Sequence, residues 1–292
     1  MSSKIRIGVF GVGAIGTVVS FGLKDMYDIF YFNRSSRSQV GIDYNGELIS
    51  KDIQLEDLNR NLIEYDWLIV CIKEYHNNDA IPFIKKQLSA NTKVAIIRNG
   101  LHLKEPFLAF LDENHIIECI IDCPTEELSK GHYVQHKAGK IYTQETALTK
   151  EFSSFFLNDR IVVETVNDFH SYKWKKLIES SSIGAIQTML GNTCKLFREE
   201  KNLDLYKQIM KEGIAVAISD DAKIGNEFYE EQLRKLMAYP ESKGSSMLSD
   251  LLRGRPIEWK AKNGIISKIG KQNEINTEVN DLLCLALQNI NC

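Results

Sequence analysis

Near the amino terminus, Gly11-Val12-Gly13-Ala14-Ile15-Gly16 carries the pattern G-x-G-x-x-G. It follows an apolar run, Ile5 to Phe10, and opens an amphipathic stretch, Ala14 to Lys24. In that context the pattern suits a dinucleotide pyrophosphate. Gly11 allows a tight turn, Gly13 lets backbone approach the phosphates, and Gly16 lets helix and strand pack closely. Free N–H groups and about half a positive charge at the helix start complete the cradle. A glycine-rich turn with no ligand is the other reading of the same residues.

Roughly twenty residues further on, a carboxylate at the end of the second strand would select NAD through the ribose 2′-hydroxyl. Here that strand, Ile29 to Phe32, runs into Asn33-Arg34-Ser35-Ser36-Arg37, which holds no carboxylate. Arg34 and Arg37 with Ser35 suit a 2′-phosphate, and the expected cofactor is NADPH. Charge-assisted bonds of about 1.5–3 kcal/mol would give it roughly a ten- to hundredfold preference. The cofactor contacts expected from this stretch of chain are Gly11, Val12, Gly13, Ala14, Ile15, Gly16, Asn33 and Arg34. A solvated basic turn is the alternative.

Asn99-Gly100 stands at the end of a later strand-like run, Lys93 to Ile97, where open α/β sheets bind ligands. It is also an ordinary turn dipeptide. Lys173, Lys175 and Lys176 cluster on one helical segment and read equally as an exposed basic face. Glu258 follows Pro256 as a first-turn carboxylate would, and Ser246 could cap the short helix that Met247 and Leu248 begin. The six cysteines include no C-x-x-C, and Cys119 and Cys123 flank a strand-like run, so core thiols are expected and no metal site is read. No G-x-S-x-G occurs, which leaves a Ser-His-Asp hydrolase unsupported.

These residues need a scaffold. At 292 residues the chain suits two domains. A net charge of −3, with 43% apolar and 26% charged residues, excludes a disordered chain, a collagen-like chain and a basic nucleic-acid binder. No apolar run reaches the ~18–20 residues that span a bilayer, and Lys4 and Arg6 interrupt the place of a signal peptide, so a cytoplasmic protein is expected, with no membrane and no nucleic-acid partner.

The first half alternates strand-like runs (Ile5 to Phe10, Ile29 to Phe32, Trp67 to Ile72, Lys93 to Ile97, Ile116 to Ile121) with helical patterns, as a parallel doubly wound sheet requires. Tyr133 to Gln135 and Lys140 to Tyr142 read as a hairpin around Ala138-Gly139. From about Asp168 the spacing is helical throughout, over Phe169 to Leu190, Phe197 to Ile224 and Glu227 to Met237, with a loop at Tyr239 to Ser246. The expected fold is α/β: an N-terminal Rossmann-like doubly wound sheet over residues 1–167 and a C-terminal all-helical substrate and catalytic domain over 168–292. Such a helical domain can dimerise or remain alone, so a homodimer stays open.

With these residues in place, the sequence resembles the ketopantoate reductase (2-dehydropantoate 2-reductase) family over nearly its whole length. The resemblance rests on the glycine loop, on Val70-Cys71-Ile72-Lys73, similar to V-x-x-K, and on Arg98-Asn99-Gly100, similar to Q-N-G. It continues in Trp174-Lys175-Lys176-Leu177, Gly244-Ser245-Ser246-Met247 and Gly254-Arg255-Pro256-Ile257-Glu258. It implies that Lys176 acts on the substrate carbonyl, that Glu258 shares its site, and that Ser246 binds substrate. Asn99 would lie near nicotinamide and substrate, and Lys73 near the bound cofactor or substrate. The reaction implied is NADPH-dependent reduction of a small 2-oxo acid, 2-dehydropantoate, to (R)-pantoate, feeding pantothenate and coenzyme A. Such a reduction needs a proton donor or cation at the carbonyl oxygen, and a lysine supplies both.

Lys176, Ser180 and Gly184 share one helical stripe, and relatives commonly carry asparagines at the two later positions. Ser180 keeps one hydroxyl as a substrate contact, and Gly184 leaves room for a larger group. An NAD(P)-dependent D-2-hydroxy-acid dehydrogenase acting on a bulkier 2-oxo acid is therefore a second reading. A non-catalytic NADPH-binding sensor is a third, opposed by the retention of Lys176 and Glu258.

Overall fold

The structure, a computed structural model, describes residues 4–59 and 63–290; Cys292, one of the six cysteines, lies outside them. The chain divides into two compact units at the border between Phe169 and His170, two residues beyond the end of the expected first domain.

In the first unit the order is β1 (Arg6–Phe10), α1 (Ala14–Gly22), β2 (Asp28–Phe32), β3 (Gln39–Tyr44), β4 (Glu47–Asp52), β5 (Trp67–Val70), α2 (Asn77–Lys86), β6 (Lys93–Ile97) and α3 (Glu105–Leu108). It continues with β7 (Ile116–Asp122), β8 (Thr125–Ser129), β9 (His132–Gln135), β10 (Gly139–Thr143), α4 (Thr149–Ser154) and β11 (Ile161–Thr165). Among the described residues the main sheet has seven strands in the order β11-β10-β7-β6-β5-β1-β2. Its neighbours run parallel except β7 and β10. Strand order reverses at β1, which has β2 on one side and β5 on the other, so the carboxyl end of β1 is the switch point where such sheets bind ligands.

Sheet burial follows from the sequence. All of β5, Trp67–Val70, is buried, as a parallel strand covered on both faces must be. The Trp67 ring packs at a tilt on Phe152 and edge-to-face with Phe155 and donates its N–H to Glu151 Oε1 at 2.9 Å, so the one polar atom of a wholly buried indole is satisfied. Truncating such a side chain costs about 3–5 kcal/mol.

The predicted hairpin at 133–142 is not one. β9 joins a second, four-stranded sheet of order β4-β3-β9-β8, whereas β10 pairs with β7 and β11 in the main sheet. The short spacing suited a hairpin, but β9 instead runs parallel to β3, some ninety residues earlier. β3 and β4, unforeseen as strands, form a hairpin with Asn45 (φ 56°) and Gly46 (φ 80°) as its two-residue turn, and β8 and β9 pair antiparallel as another.

In the second unit α5 (Phe169–Leu190) is followed by a 3₁₀ turn at Cys194–Arg198, then α6 (Glu200–Ser219), α7 (Glu227–Ala238), α8 (Ser246–Leu252), a π-turn at Lys260–Gly264, α9 (Ile265–Gln272) and α10 (Glu278–Ile290). The single helix expected over 197–224 is broken at Glu199, whose backbone is extended, and stops at Asp221, whose φ is 63°. Trp174, Leu177, Ile178, Ala185 and Ile186 bury one side of α5, and Trp174 donates its indole N–H to Asp220 Oδ2 at 2.8 Å. Among the described residues no helix is long and apolar enough to cross a membrane.

Candidate active site

The glycine loop lies at the switch point. Gly11 has φ +87° and donates its N–H to Phe32 O at 2.8 Å, tying the loop to the end of β2. A Cβ on Gly16 would stand 1.8 Å from Gly11 O, so only hydrogen fits there. Above Gly13 a Cβ would meet nothing within 4 Å. The first turn of α1 has no acidic residue and no side-chain cap, which leaves its positive end facing that open space. These residues fit a dinucleotide phosphate.

Two expected cofactor contacts prove to shape the loop. Asn33 Oδ1 accepts from Val12 N at 3.2 Å, while its amide donates to Ser35 O at 2.8 Å and Ser35 Oγ at 3.0 Å. Arg37 donates through Nη1 to Val12 O and, at 3.4 Å, to Tyr133 Oη. Its guanidinium thus braces the glycine loop through Nη1. Arg34 is 74% exposed and faces Asp79, with Nη1 to Oδ2 at 3.7 Å.

Parallel register brings further predicted residues to the same edge, since Phe10 pairs with Phe32 and Val70, and Val70 with Ile96. Lys73 follows β5 at the start of a 3₁₀ turn, and Asn99 is exposed beyond β6. Between them lies Arg98, 6% exposed, at the place of the family's glutamine. Its Nη1 donates to Asn77 Oδ1 at 2.7 Å and lies 3.5 Å from Ile72 O, and its Nη2 is 3.5 Å from Leu103 O. One buried guanidinium therefore joins the ends of β5 and α2 to the loop after Asn99, a role that sequence reading missed.

In the helical unit, Lys176 lies one turn before Glu179, with Nζ 4.0 Å from Oε2. Glu179 also meets Lys235 Nζ at 2.6 Å and accepts from Tyr239 Oη at 2.9 Å. Burial works to raise the Glu179 carboxyl, but the two lysines and the tyrosine outweigh it and hold the group below the usual carboxylate range. The sequence foresaw a cluster of lysines here and not the carboxylate that faces Lys176.

Further along the stripe, Ser180 Oγ donates back to Leu177 O at 3.2 Å. Gly184 is buried, and the space above it is not vacant: a Cβ there would stand 3.1 Å from Met247 Sδ. The room expected from the missing side chain is taken by a thioether from α8.

Ser245, not Ser246, caps α8, accepting from Leu248 N at 3.2 Å. Ser246 Oγ instead faces Lys262 Nζ at 3.4 Å. Lys262, 8% exposed, belongs to the π-turn in which Gly264 N donates to Trp259 O at 2.8 Å. Half-buried Glu258 lies just ahead of that turn, separated from it by Trp259, rather than in the first turn of a helix. Lys262 carried no motif, and only its place four residues past Glu258 could have drawn attention to it.

Among the described residues no group of three His, Cys, Asp or Glu side chains could hold a metal. His132 and His136 are four apart, but on and just beyond the extended β9, where that spacing separates rather than pairs them. Burial pushes the thiols of Cys71 and Cys119 up, as it does for inert core cysteines.

A doubly wound sheet with an open glycine loop at its switch point defines a Rossmann-type dinucleotide-binding domain, here followed by a helical unit. The chain belongs to the ketopantoate reductase family: residues 7–147 match "Ketopantoate reductase PanE/ApbA" and residues 168–291 match its C-terminal domain. It is 23% identical over 283 residues to a 2-dehydropantoate 2-reductase of Caulobacter vibrioides, covering 96% of this chain and 97% of the relative. Among solved structures, it is similar to a dimeric ketopantoate reductase from Staphylococcus aureus, with TM-score 0.88, 17% identity and 98% and 99% of the two chains covered. It is also similar to a D-mandelate dehydrogenase solved with NADH and anilino(oxo)acetate, with TM-score 0.87, 16% identity and 98% of each chain covered.

Proposed function

We propose that the protein reduces 2-dehydropantoate to (R)-pantoate with NADPH. The observation that carries the reading is the retention of a half-buried Lys176, partnered by Glu179 on a helix whose Trp174 is locked in the core, in a chain whose glycine loop is open at Gly13. The cofactor supplies hydride to the carbonyl carbon. Gly11 to Gly16 hold its pyrophosphate, with the loop braced by Asn33 and Arg37, and Arg34 meets the 2′-phosphate. Lys73 and Asn99 stand at the strand ends that face the bound groups.

Charge develops on the substrate oxygen as hydride arrives, and Lys176 provides the cation or proton there. Glu179 holds the lysine stem in place through their shared helix turn, while Glu258 orients the ammonium or a substrate hydroxyl. Ser246 and Ser180 position the substrate.

The test is loss of NADPH absorbance with 2-dehydropantoate, phenylpyruvate, benzoylformate and 2-oxoisovalerate. The highest kcat/KM with 2-dehydropantoate supports the assignment. One observation favours a second reading, a D-2-hydroxy-acid dehydrogenase: where relatives present asparagine amides, this chain presents Ser180 and the Met247 thioether, a less polar lining. Faster turnover of an apolar 2-oxo acid would establish it in place of the first.

A further inference from the structure

Ser246 and Lys262 are arranged as a pair. Because Ser245 already caps α8, Ser246 has no capping duty. Its oxygen lies 3.4 Å from Lys262 Nζ, long for a hydrogen bond but close enough for the ammonium to orient the hydroxyl. An ammonium has donors only, so the serine oxygen faces it with lone pairs and its hydrogen must point elsewhere. Ser246 is thereby fixed as a donor with a positive charge behind it.

Lys262 is 8% exposed, so its ammonium is held among polar neighbours, of which Ser246 Oγ is one. The backbone that carries it is also unusual: a π-turn, a local insertion that recurs at functional sites, begins two residues after Glu258. A 2-oxo acid brings a carboxylate adjacent to its carbonyl, and one serine hydroxyl is a weak match for a full negative charge.

We infer that Lys262 is a specificity-determining residue that, through and beside Ser246, recognises the substrate carboxylate and makes the enzyme select 2-oxo acids over neutral carbonyl compounds. The inference rests on the reading that Ser246 binds a 2-oxo acid. Any residual attraction acts on ground state and transition state alike, because the carboxylate keeps its charge throughout the reaction. Its loss should therefore appear mainly in KM.

The experiment compares a 2-oxo acid with its methyl ester, using wild type, Lys262→Met, Lys262→Gln and Lys262→Arg, with thermal denaturation of each. Expected is a KM for the acid raised roughly ten- to hundredfold in Lys262→Met, as for a lost hydrogen bond to a charged group. The ester KM, the NADPH KM and kcat should change little. The acid-over-ester ratio should fall by the same factor in Lys262→Met and Lys262→Gln and be largely kept in Lys262→Arg.

A ratio unchanged in folded Lys262→Met or Lys262→Gln overturns the inference and leaves the reductase reading intact. A loss of stability in all three variants with the acid-over-ester ratio kept makes Lys262 structural and also overturns it. A wild type that reduces no 2-oxo acid overturns the reading beneath it and the inference together.

Discussion

Lys176 Nζ stands 4.0 Å from Glu179 Oε2, and the other oxygen of that carboxylate is held by Lys235 at 2.6 Å and Tyr239 Oη at 2.9 Å. A carboxylate shared by two ammonium groups and a phenol is anchored on one side and serves as a fixed counter-charge on the other. With a side-chain exposure of 14%, Glu179 is shielded enough for this to matter.

Removing that carboxylate takes the shared counter-charge from both Lys176 and Lys235. Glu179→Gln should lower stability by about 1–3 kcal/mol near neutral pH and lower kcat more than it raises the KM for NADPH. The sign with pH is fixed by the direction of the shift. The folded-state pKa lies below the ordinary value, so the stabilisation is present above the usual carboxylate range and is lost as pH falls through the folded value. Thermal denaturation of wild type and Glu179→Gln should therefore differ most near neutrality and converge in acid. A difference that stays constant into acid would show that the loss is steric.

Two glycines of one loop should behave in opposite ways. Gly16→Ala places a Cβ 1.8 Å from Gly11 O and should cost about 3 kcal/mol or more of stability. Gly13→Ala meets nothing in the protein, so its melting temperature should stay near wild type while NADPH affinity falls roughly tenfold or more. Equal melting temperatures with equal affinities for the two variants would contradict the assignment of Gly13 to the phosphates.

If Arg34 meets the 2′-phosphate as proposed, its pairing with Asp79 competes for it; the two side chains are 74% and 70% exposed. Arg34→Ala should raise the KM for NADPH about tenfold and leave that for NADH nearly unchanged, since only the former has a 2′-phosphate. Asp79→Asn frees the guanidinium from a competing carboxylate and should lower the NADPH KM about two- to fivefold, in keeping with exposed ion pairs. Steady-state kinetics with both cofactors decides, and parallel shifts for the two would remove Arg34 from the 2′-phosphate.

Gly184 and Met247 form a packed pair. Restoring an asparagine with Gly184→Asn should destabilise the helical unit by about 1–3 kcal/mol, because Met247 Sδ already lies 3.1 Å from the added Cβ. The double variant Gly184→Asn with Met247→Ala should recover most of that loss. A single Gly184→Asn as stable as wild type would mean that the thioether moves aside freely.

Legibility in the sequence followed the range of the interactions. The glycine loop, the strands at the switch point and helix α5 depend on local spacing, and all were readable. The second sheet was not, because β3 and β9 pair across some ninety residues and neither shows its partner locally, although Asn45-Gly46 was a turn signal that could have been used. At the site, Lys176 was marked by its motif, but Glu179 gains its character from Lys235 and Tyr239 on a different part of the chain. Arg37 and Asn33 carry the residue types of a phosphate site, and only their hydrogen bonds show that they brace the loop itself.

If Lys176 supplies the cation or proton at the carbonyl oxygen while the N-terminal unit binds NADPH on its own, loss of the lysine separates turnover from cofactor binding. The most direct measurement is NADPH affinity and 2-dehydropantoate turnover side by side for wild type and Lys176→Ala. Unchanged NADPH binding with kcat lowered about a hundredfold or more is the predicted result, in the range for losing a general acid. Lys176→Ala turning over 2-dehydropantoate at the wild-type rate would contradict the account.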